Sequence, residues 1–231
     1  MTINNPLNDN LDPQSMLLYS DADLLVINKP AGLLSIQDGY DRSLPHLATI
    51  MEPVFGKVWI VHRLDKDTSG VMLLGRNADT HRYFNELFKS RTIEKTYHCL
   101  VLGHPIWEEK LVNLSLAVNA DRLHRTRVDE IRGKPAKTGI EVLKRYDSYT
   151  LLACQLFTGY THQIRAHLFH LELPILGDSL YCQRSQRQIA LKCFGLARLA
   201  LHAYSISFDR PHGGQYLTFM APYPPDFAAL L

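Results

Sequence analysis

Residues 62–70, His62-Arg63-Leu64-Asp65-Lys66-Asp67-Thr68-Ser69-Gly70, constrain the fold more than any other stretch of the chain. Five of the nine side chains are charged or potentially charged, yet two short apolar runs, 58–61 and 71–74, bracket the segment. Runs of that length and composition read as buried strands. The polar segment must leave a core and re-enter it within nine residues, and polar groups pinned at the ends of core strands need partners or a function. A turn in which Asp67, Thr68 and Ser69 bond their own backbone meets part of that demand. Asp65 is left to explain.

Elsewhere strands outnumber helices. Leu24-Leu25-Val26-Ile27-Asn28 is a buried-strand pattern stopped by the turn residues of Lys29-Pro30-Ala31-Gly32. Further strands are expected over 95–103, 139–146, 149–157, 198–208 and 215–220. Ser43-Leu44-Pro45 opens a helix with Ser43 as its cap, running to about Glu52 before Pro53. Asn77 caps a second helix through about Lys89, with Tyr83, Phe84, Leu87 and Phe88 in one apolar stripe. A third runs from its cap, Thr161, to about Leu171, with Ile164, Leu168 and Leu171 turned inward. Adjacent strands without regular helix alternation predict an α+β fold: a mixed, mostly antiparallel central sheet flanked by helices. Residues 1–15 are polar and read as a flexible arm, leaving 16–231 as one domain.

No run approaches the ~18 continuous apolar residues of a membrane span. The start, MTINNPLNDN, lacks the cationic head and apolar stretch of an export signal, so a cytoplasmic protein with no membrane partner is expected. Cys99, Cys154, Cys182 and Cys193 stand far apart and read as reduced thiols, not as a zinc site or disulfide framework. Net charge is only +2, but it is unevenly spread. Residues 1–60 hold 3 basic and 7 acidic side chains, and 61–200 hold 21 and 14. The densest basic stretch, 122–145, contains Arg122, Arg125, Arg127, Arg132, Lys134, Lys137, Lys144 and Arg145. Such a face can neutralise phosphates, and it can equally be a solvated loop and strand.

Two further segments carry chemistry-bearing residues. Phe157-Thr158-Gly159-Tyr160-Thr161-His162-Gln163-Ile164-Arg165-Ala166-His167 reads as strand, turn and helix start, with Arg165 on the first exposed turn. His167 and His170 are three apart, but no carboxylate completes a ligand set and HExxH is absent, so no metal is expected. In Lys95-Thr96-Tyr97-His98-Cys99-Leu100-Val101, the residues Tyr97, Cys99 and Val101 alternate onto one strand face. No GxSxG elbow or phosphate-cradling glycine loop occurs, which removes ester and nucleotide hydrolysis.

Residues 62–70 resemble the HRLDxxTSG signature of the RluA-type family of RNA pseudouridine synthases. Asn28-Lys29-Pro30-Ala31-Gly32 resembles its NKPxG motif, Lys95-Thr96-Tyr97 its KxY strand, and Gly133-Lys134-Pro135-Ala136 with Thr138 its GKxAxT segment. Thr158 to Arg165 resembles TGRTHQIR, Pro174-Ile175-Leu176-Gly177-Asp178 resembles PIxGD, and Leu201-His202-Ala203 the late LHA strand. Two positions depart from the pattern. Tyr160 stands where arginine is usual, and Glu172 where glycine is common.

The resemblance implies the pseudouridine synthase catalytic fold and isomerisation of uridine in structured RNA, ribosomal or transfer. Asp65 is the implied catalytic carboxylate, as nucleophile or base. Arg165 is expected to pair with it and keep it charged and aimed, and Tyr97 to face the flipped base. Arg63 would fill the gap left by the extruded nucleotide, and Arg122, Arg125, Arg127 and Lys134 would bind RNA. The reaction is an isomerisation, so no cofactor, metal or nucleotide is implied, and the chain resembles short members without a separate N-terminal RNA-binding domain. A monomer is expected. The rival readings are a non-catalytic RNA-binding module and, more remotely, a sugar hydrolase using Asp65 and Asp67.

Overall fold

The computed structural model describes residues 11–210 and 214–231. The arm expected over 1–15 lies mostly outside the described residues; in its last part Ser15 bonds back to the Asp12 carbonyl. The elements in chain order are β1 (Leu17–Ser20), β2 (Leu24–Lys29), α1 (Leu47–Phe55), β3 (Trp59–Ile60), β4 (Ser69–Gly75) and α2 (Ala78–Ser90). They continue as β5 (Glu94–Leu102), β6 (Glu109–Asn113), β7 (Leu116–Ala117), β8 (Arg127–Val128), β9 (Lys137–Arg145) and β10 (Tyr149–Leu156). The last are α3 (Gln163–His170), α4 (Arg184–Phe194), β11 (Leu201–Asp209), β12 (Tyr216–Met220) and α5 (Pro225–Ala228). The chain forms two compact units: one from the residues up to Ile93 with Ser205–Pro222, the other from Glu94–Tyr204 with Tyr223–Leu231.

In the first unit β2 runs antiparallel to β1 and to β4, the latter in register from Leu24 opposite Gly75 to Lys29 opposite Gly70. Every residue of β4 is buried, as are Leu24 to Ile27 of β2, so both faces of these strands are covered. That is why they read as unbroken apolar runs without polar alternation. Strand β3 pairs with β4 over two residues only, shorter than the run 58–61 suggests, and its side chains are half-buried. Helix α2 starts where expected: the Asn77 side chain accepts from the Thr80 N–H. From its apolar stripe Phe84 is fully buried and packs edge-on to Phe208 at 5.0 Å.

Helix α1 differs from expectation. Its N-cap is His46 rather than Ser43, and it continues through Pro53 to Phe55. Ser43 is taken by Asp41, whose carboxylate receives both its N–H and its hydroxyl. The Thr49 hydroxyl instead closes the helix start, receiving the His46 N–H and donating to the His46 carbonyl. Pro53 falls in the last turn, so the bond it removes and any kink it causes are confined to the end of the helix.

The second unit is a four-stranded antiparallel run in the order β5-β10-β9-β6, with a bulge in the β10–β9 pairing at Leu151/Leu152. Strands β7 and β8 form a separate antiparallel pair. These pairings, like that of β11 with β12, are antiparallel, in keeping with the expected α+β class. Leu116, Ala136, Ala166 and Tyr181 make a small core, with Val128, Tyr160 and Leu180 packed against it. Helix α3 begins after His162, not Thr161; His162 is left-handed at φ 57°, and the Thr161 carbonyl receives the Thr126 hydroxyl at 2.7 Å. Residues 163–168 of α3 are all buried, so the helix is clad on every side in place of presenting one inward stripe.

Glu172 has φ 60°, the left-handed region where a Cβ is disfavoured by roughly 1–2 kcal/mol. Glycine at this place in the family pattern is thereby explained. After allowing for glycine's greater unfolded-state entropy, Glu172→Gly should gain about 0.5–1 kcal/mol, read as a melting temperature 1–4 °C higher.

A second expectation comes from β5. His98 is buried, stacks on Tyr204 at 4.0 Å, and its Nδ1 lies 2.5 Å from the Tyr223 hydroxyl. Burial, with nearby His202 adding to it, pulls the His98 pKa down from 6.5 to about 4. The folded state therefore favours neutral His98, while the unfolded chain takes up the proton near pH 6.5. Stability from this group is complete above about pH 6.5 and declines as pH falls towards 4. The urea midpoint should be lower at pH 5 than at pH 7.5, and His98→Gln should shrink that difference.

Candidate active site

In the first unit, backbone atoms anchor the segment between β3 and β4. Lys29, at the end of β2, is fully buried, and its ammonium donates to the carbonyls of Pro30 (2.9 Å), Leu33 (2.8 Å) and Lys66 (3.1 Å). The Lys66 carbonyl also receives the Gly32 N–H at 2.8 Å. Ser35 holds Leu64 from both sides, donating to its carbonyl at 2.8 Å and accepting its N–H at 3.1 Å. His62 Nε2 accepts the Leu73 N–H, and the Thr68 N–H closes a turn on the Asp65 carbonyl. The charged residues follow from this clamp: Leu64 is buried, Arg63 exposed and Asp65 half-buried. Thr68 Oγ1 is buried without a hydrogen-bond partner among the described residues. The expected self-bonding of the turn thus runs through Asp65's own carbonyl rather than through a Thr68 hydroxyl cap.

In the second unit, Arg165 is 5% exposed, not on an exposed turn as its spacing from Thr161 suggests. Its Nε and Nη2 donate to Asp178 Oδ2 (2.7 Å) and Oδ1 (2.8 Å), and its guanidinium carbon lies 5.1 Å from the Tyr181 ring centroid. Asp178 is fully buried, and its Oδ1 also receives the N–H groups of Leu180 and Tyr181. Asp178 is a residue to which the sequence assigned no role beyond its motif. A bidentate pair of this kind fixes the guanidinium plane as well as its charge. Gly177 is required just before it: at φ 71° a Cβ would lie 1.9 Å from the Arg198 carbonyl oxygen.

The start of α3 is held by a second polar network. Buried Gln163 donates to the Lys137 carbonyl and the Thr138 hydroxyl, and accepts from Thr158 and the Tyr160 N–H. Thr138, having accepted from Gln163, has its proton for His167 Nδ1 at 2.9 Å, and His167 Nε2 then donates to the Leu114 carbonyl. His167 is therefore a neutral structural residue, its pKa lowered chiefly by burial. Tyr97 lies on β5 opposite Cys154, 9% exposed. Its neighbours on that face, Cys99 and Val101, are fully buried, and the Cys99 and Cys154 sulfurs are 3.9 Å apart as free thiols.

A family model described as RNA pseudouridylate synthase matches residues 23–170. The chain is 34% identical over 212 residues to the dual-specificity RNA pseudouridine synthase RluA of Escherichia coli, covering 91% of this chain and 94% of that protein. The chain belongs to the RNA pseudouridine synthase family. It is also 35% identical over 227 residues to the ribosomal large subunit pseudouridine synthase D of Nitrosomonas europaea, covering 93% of this chain but 64% of that one. A solved structure, human RNA pseudouridylate synthase domain containing 4, superposes with TM-score 0.76 at 27% identity, covering 94% of this chain and 93% of that chain.

The family's motifs map onto these arrangements. NKPxG and HRLDxxTSG form the lysine clamp, GKxAxT and TGRTHQIR meet in the Thr138–Gln163 bonds, and the Arg165 of TGRTHQIR pairs with the Asp178 of PIxGD. Tyr160, in place of the family's arginine, packs half-buried against the small core. Of the basic residues of 122–145 expected to bind RNA, Arg122, Arg127 and Lys134 are exposed and Arg125 is half-buried. Arg125 and Arg127 both pair with Asp121, at 2.7 and 2.8 Å, and, against the opposing effect of desolvation, Arg125 together with the backbone N–H groups of Arg125 and Leu123 lowers the Asp121 pKa to about 2. Their charge is in part already spent.

Removing one member of a buried ion pair strands the other, at about 3–5 kcal/mol. Asp178→Asn should therefore lower unfolding free energy by that order in urea titration, while the exposed Lys134→Gln changes it by less than about 0.5 kcal/mol.

Proposed function

We propose that this chain isomerises specific uridines to pseudouridine in structured RNA. The observation that carries the proposal is the 34% identity to an RNA pseudouridine synthase across 94% of that protein. The chain spans 64% and 60% of two other curated relatives, both named as ribosomal large subunit pseudouridine synthases. Ribosomal or transfer RNA is therefore the proposed substrate class.

The residues assigned to the reaction come from the motifs. Asp65 is the carboxylate that acts at the ribose, as nucleophile or as base. The bond between uracil N1 and the anomeric carbon breaks, the ring turns, and the anomeric carbon bonds to C5. The C5 proton is lost and N1 regains one, so nothing is oxidised and no group leaves. Arg165 holds its positive charge towards the developing negative charge, fixed in direction by Asp178. Tyr97 supplies a flat face for the base. Extrusion of the nucleotide costs a few kcal/mol, least in loops and bulges, and Arg63, exposed beside Asp65 in the chain, takes up the vacated space. Arg122, Arg125, Arg127 and Lys134 add phosphate contacts. Residues 16–231 act together as the catalytic domain of a cytoplasmic monomer. No helix among the described residues is long and apolar enough to cross a membrane.

Cells lacking the gene and grown on uracil tritiated at C5 provide the test RNA. The wild-type protein should release tritium from it, whereas Asp65→Asn should bind the RNA equally well and release none. Release by the Asn variant at a near wild-type rate removes Asp65 from the mechanism; binding without release by the wild type leaves a non-catalytic RNA-binding module.

A further inference from the structure

The longest acid-free stretch of the basic middle lies outside 122–145. No carboxylate occurs between Asp178 and Asp209, while Arg184, Arg187, Lys192 and Arg198 do. Arg198 is consumed by Asp226, with both contacts at 2.6 Å. The other three stand on α4, where every residue but Ala190, Gln186 and Phe194 is exposed. None of the three has a carboxylate within ion-pair distance among the described residues. At 100° per residue, Arg184, Gln188 and Lys192 form one i, i+4, i+8 row about 12 Å long, with Arg187 beside it.

A helix that buries one small residue fully and has no acid–base pairs along its face gains little from the protein it rests on. Its solvent face carries three cations and no anion, with glutamine and serine donors between them. The complementary partner is a polyanion with regularly spaced charges. We propose that the exposed face of α4 docks the sugar–phosphate backbone of the RNA substrate through Arg184, Arg187 and Lys192. The proposal rests on the reading of this chain as an RNA-modifying enzyme, and it adds a surface that none of the family motifs includes. The contacts are to backbone, so they contribute affinity and register rather than sequence choice.

The test uses the full-length protein and the same tritiated RNA from cells lacking the gene. Arg184→Gln/Arg187→Gln/Lys192→Gln keeps helix-compatible side chains at exposed positions, and its melting temperature reports that the fold is kept. Binding should weaken about tenfold or more near 0.1 M salt, and the slope of log K against log salt should flatten by about 2–3, as three lost phosphate contacts require. Tritium release should show a raised KM with kcat near wild type. Arg184→Lys/Arg187→Lys, which keeps the charge, should restore binding. A triple variant that binds with wild-type affinity and salt slope overturns the docking role while leaving the enzymatic reading intact. A wild type that neither binds nor releases tritium overturns the enzymatic reading itself, and the docking role with it.

Discussion

The pairing of Arg165 with Asp178 is the constraint around which the second unit is arranged. Both groups are desolvated, and a buried pair of this kind adds little net stability over apolar residues of the same volume. What it supplies is direction. Asp178 takes two guanidinium bonds and two backbone N–H bonds, close to a carboxylate's full capacity, so its oxygens have no room to turn. The Tyr181 ring covers the guanidinium, and its hydroxyl is tied to both the N–H and the carbonyl of Thr126. Gly177 lets the backbone pass within touching distance of Arg198, and so sets where Asp178 stands. The arginine is thus held by parts of the chain far apart in sequence, which is how a cation can be aimed without mobility.

The first unit solves a different problem by a related means. A loop dense in charge must sit at the end of strands buried on both faces. Lys29 and Ser35 grip it by the backbone of Leu64 and Lys66. Anchoring through main-chain atoms fixes the path of the chain and leaves the chemistry of Asp65 to its side chain. Lys29 itself is a charge at 0% exposure, tolerable because three carbonyl dipoles replace its water. Its place in the motif NKPxG is explained by this clamp.

Much of the fold was legible because periodicity reports burial. The runs 24–28 and 71–74 were visible as strands since both faces are covered, and α2 was visible from its asparagine cap and aromatic stripe. The errors have local causes. Ser43 and Thr161 both look like caps, but the Ser43 hydroxyl is taken by Asp41, and after Thr161 the chain passes through a left-handed His162 before α3 begins. Helix α4 has no inward stripe to betray it, for it is barely buried at all. At the site, spacing alone exposed Arg165, whereas packing from all sides buries it. Asp178, Gln163 and Lys29 carried a detectable signal, polar side chains inside motifs next to apolar runs, but their more distant partners, Arg165, Lys137 with Thr138, and Lys66, lie beyond the reach of any local pattern.

The distribution of charge was the least legible property, since a sequence count treats every ion as equal. In 122–145 the arginines are numerous, yet Arg125 and Arg127 turn towards Asp121, and Asp129 takes the backbone N–H groups of Ile131 and Arg132. On α4 the cations are fewer but without carboxylate partners among the described residues. An exposed pair already made returns part of its attraction to itself, and a phosphate arriving there must compete with the carboxylate for the same donors. A cation without a partner offers its whole field and releases a counterion for each phosphate it meets. A surface that binds a polyanion is therefore found by subtracting the ion pairs from the count and weighing the acids that remain: 122–145 keeps Arg122, Arg132, Lys134 and Lys137 among Asp129, Glu130 and Glu141, whereas α4 keeps three cations and no acid.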